Sequence, residues 1–153
     1  MKLLLTALLC AGFALPAADP DGLHVWKAAE LKGLSKALAP KLNGTTTALE
    51  QLPGLGNYSF IKIYRNGTGQ AELHETQADV FVVETGAATL VYGGKMVDGK
   101  TTAPNEVRGA SIEGGMEKKL APGDIVSIPA KLPHWVKVDP GKEIAYFLVK
   151  VTQ

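Results

Sequence analysis

Two patterns of apolar and polar residues divide the chain. Between Ala28 and Leu38, apolar residues recur three and four positions apart with charged residues between them, which is typical of an amphipathic helix. Gly33 weakens this helix, and Pro40 is expected to end it. From Tyr58 onward the apolar period falls to two, as in strands with one buried face. The sequence therefore predicts one helix followed by a sheet-forming region.

The period-two pattern returns in short segments that are separated by turns rich in Gly, Pro and Asn. We expect strands over these segments: Tyr58–Arg65, Gln70–His74, Val80–Thr85, Ala88–Tyr92, Ile125–Ile128, Trp135–Val138 and Glu143–Val151. About seven short strands joined by turns, with one helix at the front, predict an all-β fold. The expected architecture is a small antiparallel β-barrel or jelly roll with the N-terminal helix packed on it.

The segment from Gly93 to Lys119 breaks the even spacing of the strands. It is glycine-rich and mostly polar, and connections of this length are usually functional or mobile. Two interpretations stay open. The segment is either a mobile excursion with a small hairpin at Met96–Lys100, or a lid or dimer arm over the mouth of a barrel.

The start of the chain has the features of a targeting signal. Lys2 precedes an almost wholly apolar run from Leu3 to Leu15, and small residues follow, which predicts a secretory signal peptide over residues 1–18. The run is shorter than the ~20 residues that a membrane-spanning helix needs. We therefore expect an exported protein, periplasmic or secreted, with one domain over residues 19–153 and no membrane contact after cleavage. Because Cys10 is the only cysteine, that domain would have no disulfide.

The charge of the chain is nearly balanced. The formal net charge of +1 comes from 16 Lys and Arg residues against 15 Asp and Glu residues. The sequence has no basic stripe and no acidic tail, which argues against a nucleic-acid partner.

Candidate chemistry lies on the strand that ends at His74. Glu72 and His74 share one face of this strand, because side chains alternate between the two faces. Taken alone, an ordinary strand with its polar face in water explains this pattern. His134 points to a different arrangement, since it shares a strand face with Val136 and Val138 and is therefore expected to point inward. Two histidines at strand ends, each near carboxylates, predict a shared polar pocket.

These two stretches resemble the two sequence motifs of the cupin superfamily. In the second motif, Gly123, Pro129 and His134 keep the usual spacing. Lys131 stands where cupins usually have a second Gly, and Val138 stands where they usually have Asn. The likeness extends over residues 67–138, about half of the chain that would remain after signal cleavage.

The first motif is degenerate. Counting back from Gly86 places Asp79 in the slot that usually holds Glu, and His74 in the slot of the second histidine. The slot of the first histidine then falls on Glu72, and Gly67 lies one residue away from the leading Gly slot.

The resemblance implies a metal site inside a barrel, because metal-binding cupins usually present three histidines and one Glu to a divalent ion. Carried over position by position, the implied ligands are Glu72, His74, Asp79 and His134. The implied cofactor is a divalent ion of Fe, Mn, Zn or Ni. The alternative is a cupin that has lost its metal, in which Glu72 or Asp79 pairs with one of three cations: Arg108, Lys62 or Lys131.

The expected ligand is a small molecule bound at the barrel mouth. We expect five further residues to line that mouth: Tyr64, Gln70, Phe81, Arg108 and Lys131. Three functions stay open: a metal-dependent enzyme of the oxygenase or isomerase kind, a protein that binds a sugar or small organic acid without turnover, or a domain that works through its surface. A homodimer is also compatible, since Val80–Val83 carries apolar residues on both faces.

Overall fold

The computed structural model describes residues 20–153, so the predicted signal peptide lies outside the described residues. The described chain has one α-helix, α1, at Ala28–Leu38, which continues into a 3₁₀ turn at Ala39–Leu42. Thirteen strands follow: β1 Thr47–Leu55, β2 Tyr58–Arg65, β3 Ala71–His74, β4 Gln77–Gly86, β5 Ala88–Tyr92, β6 Lys95–Val97, β7 Lys100–Ala103, β8 Glu106–Gly109, β9 Ser111–Glu113, β10 Met116–Leu120, β11 Ile125–Ile128, β12 His134–Lys137 and β13 Ile144–Thr152.

Eleven of the thirteen strands form two antiparallel sheets, and β6 and β9 pair separately. One sheet has the order β1-β2-β13-β4-β11, and the other has the order β10-β5-β12-β3-β8-β7. The main core contains apolar side chains from both sheets, among them Ile63, Phe81, Leu90, Val136 and Leu148. The predicted all-β antiparallel fold with a helix at the front is confirmed.

Helix α1 lies against the five-stranded sheet, on the face that points away from the core. Just before the helix, Trp26 contacts Phe60 and Phe147 on that face, with ring centroids 4.8 and 5.7 Å away. Under the helix, Lys62 of β2 is fully buried and its Nζ lies 2.8 Å from Oε2 of Glu84 in β4. Among residues 20–153, the structure has no helix with the length and apolar character needed to cross a bilayer.

Strand β1 is one of the elements that the sequence pattern missed. Within residues 20–153 it is an edge strand that pairs only with β2. Its side chains mix exposed and buried positions, with Ala48 and Leu52 buried and Leu49 exposed. The strand continues through Gly54 as far as Leu55. An edge strand has no second neighbour to enforce strict alternation, which explains the weak pattern.

The segment 93–119 is mostly strand rather than an irregular excursion. It holds β6 to β10, of which β8 and β10 join the six-stranded sheet through β3 and β5. The predicted hairpin at Met96–Lys100 is wrong, because β6 pairs with β9 and brings Met96 opposite Ile112. Together with Ala71 and Val91, these side chains form a second apolar cluster. Strands β7 and β10 are almost wholly exposed, so they carry no apolar alternation for a sequence pattern to detect.

Candidate metal centre

Strand register places the candidate side chains opposite one another. In the six-stranded sheet, β3 lies between β12 and β8, so Glu72 is paired with His134 on one side and with Arg108 on the other. His74, two residues further along β3, is paired with Glu106. The polar face of β3 therefore points into the interior, not into water.

The five-stranded sheet supplies the other side of the site. Asp79 of β4 is paired with Lys150 of β13, which lies on the same strand face as the inward-facing residues Tyr146 and Leu148. Arg65, the last residue of β2, lies on the same inward face as Ile63 and is 7% exposed. The site thus lies between the two sheets and contains residues from both.

The two histidine rings are buried and face each other, with their centroids 5.2 Å apart. Nδ1 of His74 lies 2.8 Å from both carboxylate oxygens of Glu106, and Nδ1–H of His134 donates to the Leu132 carbonyl over 3.1 Å. These acceptors keep a proton on Nδ1 of each ring. Each Nε2 therefore presents a lone pair to the interior.

Glu72 completes a set of three converging donors. One ligand atom from each of Glu72, His74 and His134 lies within 4.8 Å of the other two. Three donors spread evenly around one ion at about 2.1 Å stand about 3.6 Å apart, so a closure of about 1.2 Å or less between donor atoms would bring all three to bonding distance. Oε1 of Glu72 forms an ion pair with Arg108 at 2.5 Å and accepts a hydrogen bond from Arg65 at 3.3 Å. Oε2 of Glu72 lies 3.7 Å from Nε2 of His74. The donor set fits a divalent ion.

Asp79, the fourth residue of the predicted set, is engaged differently. Its Oδ1 accepts from Nζ of Lys150 over 2.9 Å. Its Oδ2 lies 3.3 Å from Nε2 of His74 and 3.8 Å from Nε2 of His134. Asp79 therefore borders the three donors while it is held by a lysine.

Lys150 also contacts a histidine. Its Nζ lies 2.8 Å from Nε2 of His74, a contact that requires a lone pair on that nitrogen. Oδ2 of Asp79 lies 3.3 Å from the same Nε2, and its negative charge favours a proton on that nitrogen. The contact with Lys150 therefore requires the neutral ring, whereas Asp79 favours the protonated ring.

Burial and charge shift the pKa values of the site in different directions. Burial lowers the pKa of His134, so the ring is neutral at neutral pH. Burial alone would lower the pKa of His74 as well, but the hydrogen bond and charge of Asp79, followed by the charge of Glu106, raise it. Above that raised pKa, His74 accepts from Lys150.

Both interior carboxylates are ionised. Burial by itself would raise the pKa of Glu72, but the charges of Arg108 and Arg65 outweigh burial and hold the pKa below its ordinary value. Burial acts in the same direction on Asp79, where the hydrogen bond to His74 and the charge of Lys150 lower the pKa. Ionised carboxylates and neutral imidazoles are the forms that bind metal ions.

A cleft of about 390 Å³ opens beside Glu72, one of the three donor residues. Gln70 and Arg108, both predicted mouth residues, line it together with Glu72. Phe81 instead lines a small interior cavity of about 30 Å³ that borders His134.

The other two predicted mouth residues lie away from this cleft. Tyr64 is on the outer face of β2, where its hydroxyl donates to Glu143 over 2.5 Å. It lines a larger groove of about 910 Å³ beneath α1, which contains none of the converging donors. Lys131 has an exposed side chain, while its N–H donates to the His74 carbonyl over 2.7 Å. Its φ of +66° is left-handed, which explains why glycine is usual at this motif position.

Sequence reasoning missed three residues of the site, namely Arg65, Glu106 and Lys150. Arg65 and Lys150 continue the inward alternation of predicted strands, so the period-two pattern carried a signal for both. Glu106 lies in the segment whose strands were not predicted. Of the ion pairs expected for a cupin without metal, the pair of Glu72 with Arg108 is present. Asp79 pairs instead with Lys150, and Lys62 pairs with Glu84 on the outer face of the sheet.

The sequence matches no protein-family model, and a search of curated proteins returns no match. Solved structures do match the fold. A sugar phosphate isomerase of the cupin superfamily from Silicibacter pomeroyi matches at a TM-score of 0.50 and 16% identity, over 71% of this chain and 60% of that chain.

Two further structures match equally well in shape. A polyketide cyclase from Streptomyces resistomycificus has a TM-score of 0.50 at 18% identity, over 71% of this chain and 66% of that chain. A DMSP lyase from Ruegeria pomeroyi has a TM-score of 0.50 at 15% identity, over 72% of this chain and 49% of that chain. The chain therefore covers less than two thirds of the length of each of these three proteins. At such identities the likeness establishes the fold alone, and one fold carries many chemistries.

Proposed function

We propose that this chain, which has the fold of the cupin superfamily, binds a divalent metal ion through Glu72, His74 and His134 and a small organic molecule in the adjacent cleft. The observation that carries the proposal is the convergence of two Nε2 lone pairs whose rings are fixed through Nδ1. Protein metal sites use this arrangement, in which an acceptor behind each histidine sets its tautomer and orientation.

The donor types suit a first-row transition metal. Two imidazoles and one carboxylate leave open coordination positions, and this set is used with Fe, Mn, Zn and Ni. The bound ion would act as a Lewis acid on an oxygen of the ligand. The protein residues around it have separate roles: Arg65 and Arg108 hold Glu72 in place, and Glu106 holds His74.

The cleft supports the small-molecule part of the proposal. Its volume of about 390 Å³ falls within the roughly 300–1,000 Å³ of ordinary ligand sites. Arg108 and Lys150 supply positive charge at one side, and Leu49 and Ile61 supply apolar wall. A sugar or a small organic acid, with its polar end toward the cations, matches this lining.

Metal analysis of protein purified without an affinity tag tests the proposal. We expect about one transition-metal ion per chain in the parent protein and in His24→Ala, whose histidine is exposed and remote from the cluster. His74→Ala and His134→Ala should lose the ion while keeping the parent circular dichroism spectrum. Metal content that is unchanged in both variants would exclude this site.

A second candidate is a cupin that binds its ligand without metal. It is favoured by one observation, the Lys150 ammonium group that already contacts Nε2 of His74. Parent protein that stays metal-free after incubation with Fe²⁺, Mn²⁺, Zn²⁺ or Ni²⁺, yet binds a sugar or an organic acid, would favour this candidate.

The proposal also places the protein outside the cytoplasm, as a homodimer. Export is supported by the apolar run at residues 3–15, and cell fractionation with N-terminal sequencing of the mature chain tests it. Self-association is supported by the apolar side chains that Val80–Val83 carries on both faces of β4, of which Val82 is 37% exposed. Sedimentation of Val82→Lys against the parent tests it.

A further inference from the structure

Lys150 has an unusual position for a lysine. Strand β13 alternates inward-facing Tyr146 and Leu148 with outward-facing residues, and Lys150 follows them on the inward side. Its side chain is only 15% exposed, and Nζ makes contacts of 2.8 Å to His74 Nε2 and 2.9 Å to Asp79 Oδ1. The ammonium group therefore lies at the boundary of the candidate metal centre.

One of these contacts uses an atom that a metal ion would need. Nε2 of His74 offers a single lone pair, because its partner nitrogen donates to Glu106. The lone pair can accept from an ammonium group or bind a metal, and it cannot do both.

The charge balance of the site also indicates that Lys150 and a metal ion compete. Three carboxylates surround the histidines: Glu72, Asp79 and Glu106. Three cations face them: Arg65, Arg108 and Lys150. With both rings neutral, these six groups balance without any ion. A divalent ion would add two positive charges to a buried site, and Lys150 is the cation nearest to the shared donor.

We propose that Lys150 is an internal cation that occupies the place of the metal at His74 and competes with it. This inference rests on the proposed function. When an ion binds, the flexible lysine side chain moves into the adjacent cleft, which it already lines, and its ammonium group is then free to meet an anionic group of the ligand. Lys150 thereby sets the metal affinity of the site.

Calorimetric titration with Zn²⁺ alone, in a non-chelating buffer, tests the proposal. Lys150→Leu removes the charge and introduces no donor atom, so Zn²⁺ should bind roughly tenfold tighter or more than to the parent. Lys150→Gln provides a second neutral variant in case leucine impairs folding, which circular dichroism monitors. Lys142→Leu is the matched control, since Lys142 is exposed in the turn before β13 and should leave the affinity unchanged.

The outcomes separate this inference from the proposed function. If Zn²⁺ binds the parent through the two histidines and both Lys150 variants bind it with equal or weaker affinity, Lys150 does not compete and the inference fails alone. If only the Lys150 variants bind Zn²⁺, the inference stands and the parent is the metal-free cupin. If neither the parent nor a folded Lys150 variant binds Zn²⁺, both proposals are overturned.

Discussion

His74 and His134 hold their rings 5.2 Å apart between the two sheets, although the residues are distant in the sequence. The contact follows from strand pairing, because β12 lies beside β3 and places His134 opposite Glu72. Backbone register therefore fixes the convergence before any ligand arrives, and rigid strands hold donor atoms more accurately than loops do.

Removal of the acceptor behind His74 should weaken metal binding. In Glu106→Ala, Nδ1 loses the carboxylate that holds its proton, so both the ring orientation and the basicity of Nε2 are less well set. We expect Zn²⁺ affinity, measured by calorimetry, to fall about 10- to 100-fold. Glu113→Ala, on an exposed position of β9, is the control and should bind like the parent. Equal affinity in Glu106→Ala would show that this acceptor does not tune the site.

The stability of the metal-free protein should depend on the ionisation of Glu72. The folded state holds the pKa of Glu72 below its ordinary value of 4.5, so the carboxylate stabilises the fold above about that pH. That contribution is lost as the pH falls through the lower, folded-state pKa. Glu72→Gln cannot titrate, so its deficit in unfolding free energy relative to the parent should shrink as the pH falls below about 4.5.

Urea unfolding at a series of pH values measures this difference. Glu117→Gln is a matched control, because Glu117 pairs with Lys137 in an exposed contact of 3.2 Å. The unfolding free energy of Glu117→Gln should differ little from that of the parent at every pH, as is usual for surface ion pairs. If the deficit of Glu72→Gln in unfolding free energy stays constant as the pH falls below about 4.5, the lowered pKa of Glu72 is contradicted.

The buried ion pair under α1 should matter to stability more than to binding. Glu84→Ala leaves the fully buried ammonium of Lys62 without its partner. We expect a loss of about 3 kcal/mol in unfolding free energy, the low end for breaking a buried pair, because Glu84 is partly exposed. The double variant Lys62→Met with Glu84→Met should recover most of this loss, since apolar residues suit the space between helix and sheet. Denaturant unfolding of both variants gives the comparison, and a double variant no more stable than Glu84→Ala would contradict it.

Sequence patterns predicted the parts of the fold in which one face is apolar. The three-and-four spacing of α1 and the alternation in β2, β4 and β13 come from burial against the core, and each of these elements was expected near its observed position. The exposed strands of segment 93–119 have no such pattern. Their pairing depends on register, which separate stretches of sequence do not specify.

The candidate site was predictable to the extent that it follows local alternation and motif spacing. Glu72, His74 and His134 were expected from these features, and the structure brings their donor atoms together. The alternation of β13 places Lys150 on the inward face, but its contact with His74 arises from packing between the sheets, and Glu106 reaches His74 through cross-strand pairing. Local sequence specifies neither contact.

The central claim is that one ion bridges the two histidines. Crystals of the parent protein soaked in Zn²⁺, with diffraction recorded at the zinc absorption edge, test it most directly. We predict one interior anomalous peak, at about 2.0–2.2 Å from Nε2 of both His74 and His134 and from an oxygen of Glu72. An interior without such a peak, or a zinc ion bound to only one of the two rings, would contradict the account.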